Sequence, residues 1–387
     1  MIDAPQRAQF SLTEEQRAIA GMARDFAQGE IAPNIERWDR EHHFPRELYT
    51  KMGDAGLMGI VVPEAFGGAG ADYVSYALAI EELARVDAGT AVTLSVHAMI
   101  CAAIAKLGSP DQQARYLPKL ASGEWIAGFA LTEPDSGSDA ASIRSTAARG
   151  GGGWIVRGRK QWCTNGSYAG VTMGMFRTGG PGPKGITAFL IENALPGVTV
   201  EKVTDKLGIH TSNTCDLAFD DVRVPASAML GDEGAGFSQA MTALTSGRIG
   251  IASQAVGILS ACLDASVKFA KERLAFGKPI GAFEGVSFKI ARMATDLDAA
   301  RLLVYRAAAL ADRGEPFAVE ASKAKLFAST AARTHASEAV QIHGGYGYTT
   351  EFPVERYYRD AKITEIYEGT SEIQQIIIAR SLLGRLE

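Results

Sequence analysis

Cysteine is scarce: the 387 residues hold four, Cys101, Cys163, Cys215 and Cys262, widely spaced and without a C-x-x-C pair. That spacing speaks against a zinc cluster or a thioredoxin-like centre. It suits small buried hydrophobes in a reducing compartment. Positive charge is not in excess either, with 39 Lys and Arg against 44 Asp and Glu and a net charge of -5. A nucleic-acid-coating role is therefore disfavoured. The longest charge-free apolar stretch, Ala88 to Ala105, is interrupted by Thr90, Thr93, Ser95 and His97, and it reads as a buried helix with no membrane span expected. No G-x-G-x-x-G follows a strand, and Gly277-Lys278 runs into Pro279 without a spaced upstream glycine, which argues against a dinucleotide fold and a phosphate loop. His42, His43, His97, His210, His335 and His343 show no metal-ligand spacing, so no metal is expected. There is no G-x-S-x-G elbow. The opening MIDAPQRAQFSLTEEQ lacks the apolar core of a secretory signal and the Arg-rich character of a transit peptide, which makes cytoplasm the expected location.

What is present is a chain 47% hydrophobic and 21% charged, the composition of a soluble protein of two or three domains. Residues 1–125 read helical. Thr13 and Gln16 have capping-box spacing, and Ile19, Met22, Ala23 and Phe26 then share one face. A helix is predicted from Tyr73 to Arg85, and another starts at Pro110-Asp111 and ends before Pro118. Residues 126–235 change to short β-branched and aromatic runs, Trp154 to Val156, Val171 to Phe176 and Ile186 to Ile191, punctuated by glycine at 150–153 and 179–185. Cys215, Leu217 and Phe219 alternate with Asp216, Ala218 and Asp220, the period of a half-buried strand. Over residues 236–387 the helical period returns, with Val286, Ile290, Met293, Leu297, Ala300, Val304, Ala307 and Ala311 in one stripe. The predicted class is α+β: an N-terminal helical domain, a central antiparallel, barrel-like β domain and a C-terminal four-helix bundle. A cleft where the β unit meets the helices is the expected place for a cofactor.

Four segments carry candidate chemistry. In Phe129 to Asp139, Ser136, Gly137 and Ser138 can present donors to a pyrophosphate or flavin edge, or form a plain Asx-rich loop. In Gln161 to Ser167, Trp162 either stacks on a flat ring or fills the core, and by itself the pattern favours core. In Gln341 to Tyr348, Gly344 and Gly345 either stop a helix or let a bulky group approach bare backbone. In Tyr367 to Gln374, Thr370 is a plausible N-cap that puts Glu368 just before a positive helix end, as a surface group or as a base aimed into the cleft.

Together these segments resemble the acyl-CoA dehydrogenase family, closest in pattern to its short-chain and branched-chain members. The resemblance runs over nearly the whole chain and rests on ALTEPDSGSDAAS, QWCTN, KLGIHTSNTCDLAFDDVRVP, SGRIGIASQAVG, RLAFGKPI, QIHGGYGY and YRDAKITEIYEGTSEIQ. It implies FAD as cofactor and conversion of an acyl-CoA thioester to the trans-2-enoyl-CoA, with Glu368 taking the α-proton and flavin N5 the β-hydride. It implies Phe129, Leu131, Thr132, Gly137 and Ser138 on one side of the flavin, Trp162 and Thr164 on the other, and contacts from Thr370 and Glu372. It implies a homotetramer, a dimer of dimers, in which Arg273, Phe276, Gln341, Gly344 and Gly345 reach a neighbour's cofactor. For the thioester it points to Ser138, Thr245, Arg248, Tyr367 and Gly369. Some branches place the base at the position of Gly247; glycine cannot serve, which selects Glu368 and argues against the isovaleryl and long-chain branches.

The sequence departs from the family pattern at three places: Thr245 stands where Asp is usual, Glu284 where Gln is usual and His210 where Arg is usual. Glu284 stays among the cofactor candidates, and Thr245 bears on the CoA arm. An electron-transfer flavoprotein is the expected acceptor. The competing readings are a relative that reduces oxygen or oxidises nitroalkanes, the latter disfavoured because it uses an Asp base, and a flavin-bearing helical protein that binds DNA with little catalysis.

Overall fold

The computed structural model describes residues 11–384; the opening segment read for targeting lies, up to Phe10, outside them. Six helices come first: α1 (Glu14–Phe26), α2 (Ile35–Glu41), α3 (Arg46–Asp54), α4 (Tyr73–Ala84), α5 (Ala88–Leu107) and α6 (Pro110–Ala121). The α1 capping box forms as the spacing requires, with reciprocal bonds between Thr13 and Gln16. Asp72 caps α4. α5 is apolar on every face and accordingly buried. α6 corrects the expected stop, since it continues through Pro118 to Ala121. A proline there forfeits one backbone bond, but a Ser109–Gln112 capping box and the burial of Tyr116, Leu117, Leu120 and Ala121 hold the last turn.

Seven strands follow: β1 (Ile126–Ala130), β2 (Thr146–Gly150), β3 (Gly153–Thr164), β4 (Ala169–Arg177), β5 (Ile186–Glu192), β6 (Val198–Val203) and β7 (Thr214–Pro225). They make one sheet in the order β1-β4-β2-β3-β7-β6, with β5 on β4. Antiparallel pairing holds for β2–β3, β3–β7, β4–β5 and β6–β7. The ladder β1–β4 is parallel, so the sheet is mixed. A parallel partner needs a long crossover, and the loop after Ala130 with β2 and β3 supplies it. β3 slips register between Lys160 and Cys163, a bulge of the kind that re-aims a side chain.

The C-terminal part holds α7 (Gly236–Glu272), a hairpin of β8 (Leu274–Ala275) and β9 (Lys278–Pro279), then α8 (Glu284–Asp312), α9 (Ala318–His343), α10 (Val354–Ile363) and α11 (Ser371–Leu383). α5 and α7 have the length and composition to cross a membrane, but most of each apolar stretch is enclosed by the rest of the protein. On α8, Met293, Leu297, Ala300, Val304 and Ala307 are buried as the stripe predicts. Where α9 packs on α7 its buried face is Ala321, Ala324, Ala328, Ala332, Ala336 and Ala339.

The three units are tied at Asp39 on α2. Its carboxylate takes Arg359 of α10 at 2.7 Å and His210 at 3.1 Å, and Asp360 accepts the Ile209 N–H at 2.5 Å. His210, stacked on His42, is thus a joint between units and not part of the cofactor or substrate cradle. The bond to Asp39, against desolvation, raises the His210 pKa above its ordinary value. A raised histidine pKa stabilises the fold below the unfolded value near 6.5 and loses that contribution as pH climbs through the folded one. The Tm gap between wild type and His210→Gln should therefore be larger at pH 6 than at pH 8, as read by thermal melts; a gap that widens with pH would reverse the assignment.

Candidate active site

The turn between α10 and α11 carries two successive left-handed residues, Glu368 (φ 53°) and Gly369 (φ 89°). Glycine adopts that conformation freely, whereas a residue with a Cβ there costs about 1–2 kcal/mol. The turn is held from the far side: Thr370 caps α11 by accepting from the Ile373 N–H, and the Gly369 carbonyl accepts from Lys325 Nζ and Gln374 Nε2, each at 2.7 Å.

So held, the Glu368 carboxylate points at α7. A Cβ built on Gly247 would lie 2.6 Å from Glu368 Oε2 and 3.0 Å from Met99 Sδ. Oε2 is enclosed and has no hydrogen-bond partner among the described residues. Burial pushes the Glu368 pKa up to about 7, against the pull of Arg248 and Lys325. Arg248 is 5% exposed with its Nε unpartnered, and Lys325 is fully buried, its ammonium pushed down to about 8 by desolvation. Tyr367 forms a wall, its phenol donating to Gln254, whose amide in turn donates to the Ala88 carbonyl at 2.7 Å. Thr245 donates its hydroxyl to the Met241 carbonyl of its own helix.

A second surface is built on β1 and β3. Lys160, fully buried, donates to Glu133 at 2.7 Å and to the Leu131 carbonyl at 3.1 Å. Glu133 also accepts the Arg144 and Ser145 N–H groups. This buried pair fixes the loop after Phe129, and a bond from Gln161 N–H to the Thr132 carbonyl sets it beside β3. Ser136 corrects the expected donor set. It is buried, its N–H goes to the Glu133 carbonyl and its hydroxyl to the Asp139 carbonyl, so it presents nothing outward. Gly137 and Ser138 are exposed, and a Cβ on Gly137 would meet open space. Trp162 corrects the core reading: it sits in the β3 bulge at φ 56° and is 58% exposed. Thr164 is half-buried on the same strand.

A third surface is a groove of about 490 Å³ lined by Arg273, Gly344, Gly345, Tyr346, Phe269 and His343, among others. Gly344 ends α9 as a helix stop, and Gly344 and Gly345 also show bare backbone with open space where a Cβ would stand. Arg273 lies over the Tyr346 ring. Phe276, 96% exposed, occupies the tip of the β8–β9 hairpin. Glu284 and Gln341 are exposed and do not line the groove, and Glu372 is exposed at the start of α11. An exposed indole, unblocked glycine backbone and a half-buried carboxylate with one enclosed oxygen fit a large planar group with a phosphate arm beside an acid–base residue.

The residues that sequence reasoning passed over are Lys325, Gln374 and Gln254. Lys325 did leave a signal: it is a charged residue on the small-residue face of α9, one helical turn from Ala321 and Ala328.

Such a constellation on an α, β, α frame defines a flavin-dependent oxidoreductase. Family models described as the N-terminal, middle and C-terminal domains of acyl-CoA dehydrogenase match residues 13–124, 128–222 and 234–383. An acyl-CoA dehydrogenase of Bacillus subtilis (strain 168) is 51% identical over 96% of this chain and 99% of its own. Among solved structures, butyryl-CoA dehydrogenase from Megasphaera elsdenii superposes with a TM-score of 0.95 at 44% identity, covering 97% of this chain and 99% of that one. A chain in the structure reported for the electron transferring flavoprotein of Acidaminococcus fermentans gives 0.96 at 46% identity, covering 97% and 100%. The chain belongs to the acyl-CoA dehydrogenase family, whose members are FAD-dependent oxidoreductases.

The contact at Gly247 yields a direct test. Gly247→Ala adds a methyl only 2.6 Å from Oε2, and a base displaced by about 1 Å should lose roughly 10²-fold in kcat. Steady-state turnover with flavin absorbance as a loading control checks this; unchanged kcat would mean that the carboxylate works from another position.

Proposed function

We propose that the protein dehydrogenates a short-chain acyl-CoA at the α and β carbons, with Glu368 as the base, and passes the electrons to an electron-transfer flavoprotein. The observation that carries this reading is the enclosure of the Glu368 carboxylate against Gly247 and Met99. A carbon acid needs a base whose pKa lies near the working pH, and burial supplies that without a partner to consume the lone pairs. Arg248 and Lys325 keep the carboxylate ionisable despite desolvation. The Glu368 N–H makes no hydrogen bond among the described residues and is free to meet the thioester oxygen as negative charge grows there, an oxyanion contact. FAD, when bound, supplies the acceptor for the hydride leaving the β carbon.

The remaining roles follow the family resemblance. Phe129, Leu131, Thr132, Gly137 and Ser138 would hold one side of the flavin ring and its pyrophosphate edge, Trp162 and Thr164 the other, and Thr370 and Glu372 would also contact it. Arg273, Phe276, Gln341, Gly344 and Gly345, with Glu284, would serve a neighbouring subunit in a homotetramer, which is supported by the exposure of all six. Ser138, Thr245, Arg248, Tyr367 and Gly369 would receive the thioester and CoA arm. Because the Thr245 hydroxyl donates to Met241, that oxygen offers the CoA arm an acceptor. A short acyl chain is supported by the likeness to butyryl-CoA dehydrogenase and by Tyr76 and Ser95, whose hydroxyls, hydrogen-bonded at 3.1 Å, close against α7 at Gly250. The acceptor is supported by the likeness to a chain solved under an electron transferring flavoprotein. A cytoplasmic setting is supported by four free, buried cysteines.

Anaerobic mixing with butyryl-CoA should bleach the flavin in wild type, and Glu368→Gln should keep the yellow colour while losing roughly 10²- to 10⁴-fold in bleaching rate. Wild-type kcat/KM should rise with pH through an acid limb near 7, since the carboxylate must be ionised and its pKa stands at about 7. Normal bleaching in the variant would reject the assignment. Arg273→Ala should weaken flavin retention and the assembled oligomer together, followed by absorbance and sedimentation; a stable, fully loaded monomer would contradict the shared site.

A further inference from the structure

Resting on the reading of Glu368 as base, a second question is what aims it. The Glu368–Gly369 turn combines the least restrained residue type with a left-handed glutamate, so beyond the Thr370 cap its direction needs further support. Two side chains supply it. Lys325 reaches from α9 and Gln374 from α11 to the same acceptor, the Gly369 carbonyl, occupying both of its lone pairs. Gln374 is fully buried. So is Lys325, and the Gly369 carbonyl is the one hydrogen-bond partner of its ammonium among the described residues.

The titratable groups around Glu368 come from four directions. Arg248 faces it from α7, Lys325 from α9, Tyr76 from α4, and Tyr367 precedes it in the chain. Glu365 and Glu372 also act on Lys325, but Glu365 is paired with Lys362 at 2.8 Å and Arg333 at 2.9 Å, and Glu372 is exposed. Lys325 is therefore the buried cation that grips the backbone next to the base.

We propose that Lys325 is a positioning residue: its ammonium pins the Gly369 carbonyl, holding the Glu368 turn in the orientation that presents the carboxylate to substrate, and it sets a buried positive charge one residue from the base. The lysine touches neither substrate nor flavin in this role and transfers no proton.

The holoenzyme is compared as wild type, Lys325→Met, Lys325→Gln, Lys325→Arg and Gln374→Leu, scoring flavin content, Tm, the split between kcat and KM for butyryl-CoA, and the pH profile of kcat/KM. Removing the cation should lower kcat roughly 10²-fold with KM little changed. It should also move the acid limb to higher pH by about one unit, because a carboxylate that loses an adjacent positive charge ionises less readily. Lys325→Arg should restore the position of the limb. Gln374→Leu keeps the charge and loosens the carbonyl, so it should lower kcat and leave the limb in place. A residue that merely fills space would not move the limb. An unmoved limb in a folded, flavin-loaded neutral variant overturns the proposal. Should both neutral variants fail to fold, Gln374→Leu decides: wild-type kcat there overturns the brace, and reduced kcat with an unmoved limb supports it. If wild type itself fails to bleach with acyl-CoA, the reading of the site fails; normal bleaching in wild type and Lys325→Met alike defeats only the role of the lysine.

Discussion

A carboxylate with one oxygen enclosed and without a hydrogen-bond partner among the described residues is the constraint around which this protein is arranged. Desolvation alone would neutralise Glu368 permanently, and two buried cations oppose that outcome from different helices. Each cation is itself disfavoured by burial, so the three groups depend on one another: Arg248 and Lys325 stay charged partly because Glu368 can ionise, and Glu368 can ionise because they are charged. Such a cluster is sensitive to geometry, since a low-dielectric surrounding magnifies every displacement.

The frame that keeps the geometry is helical and closely packed. α7 contributes Gly247 and Arg248, α9 contributes Lys325, and α5 contributes Met99, so the base is surrounded by long elements and not by mobile loops. The flavin-facing surface is built differently. There the rigidity comes from the sheet and from the Lys160–Glu133 pair, which acts behind the loop after Phe129. A buried pair of this kind adds little net stability but fixes one arrangement of the backbone around it, here through four hydrogen bonds to Leu131, Arg144, Ser145 and each other.

Much of this was legible from residue pattern where the controlling physics is local. The Thr13–Gln16 box, the Thr370 cap and the apolar stripe of α8 depend on neighbours three or four positions apart, and the alternation of Cys215, Leu217 and Phe219 is a strand written in one period. Pattern failed where distant partners decide. Trp162 looks like core until the β3 bulge rotates it outward, and a bulge is set by pairing with β7. Ser136 looks like a free donor until its own loop closes on it. The run past Pro118 depends on what α6 packs against. Lys325 was visible as a charge among alanines, yet its partner lies 44 residues further on, beyond any periodicity. The glutamate itself came from motif resemblance; its burial came only with the fold.

The alanine-lined seam between α7 and α9 has a bearing on how such a protein can change over generations. Side chains that stop at Cβ leave nothing to trim and no slack to fill, and adding methylenes to a packed interior generally costs about 1–3 kcal/mol. Innovation on this scaffold is thus steered away from the seam toward the ends of the helices and the exposed connections, where a larger residue meets water instead of a neighbour.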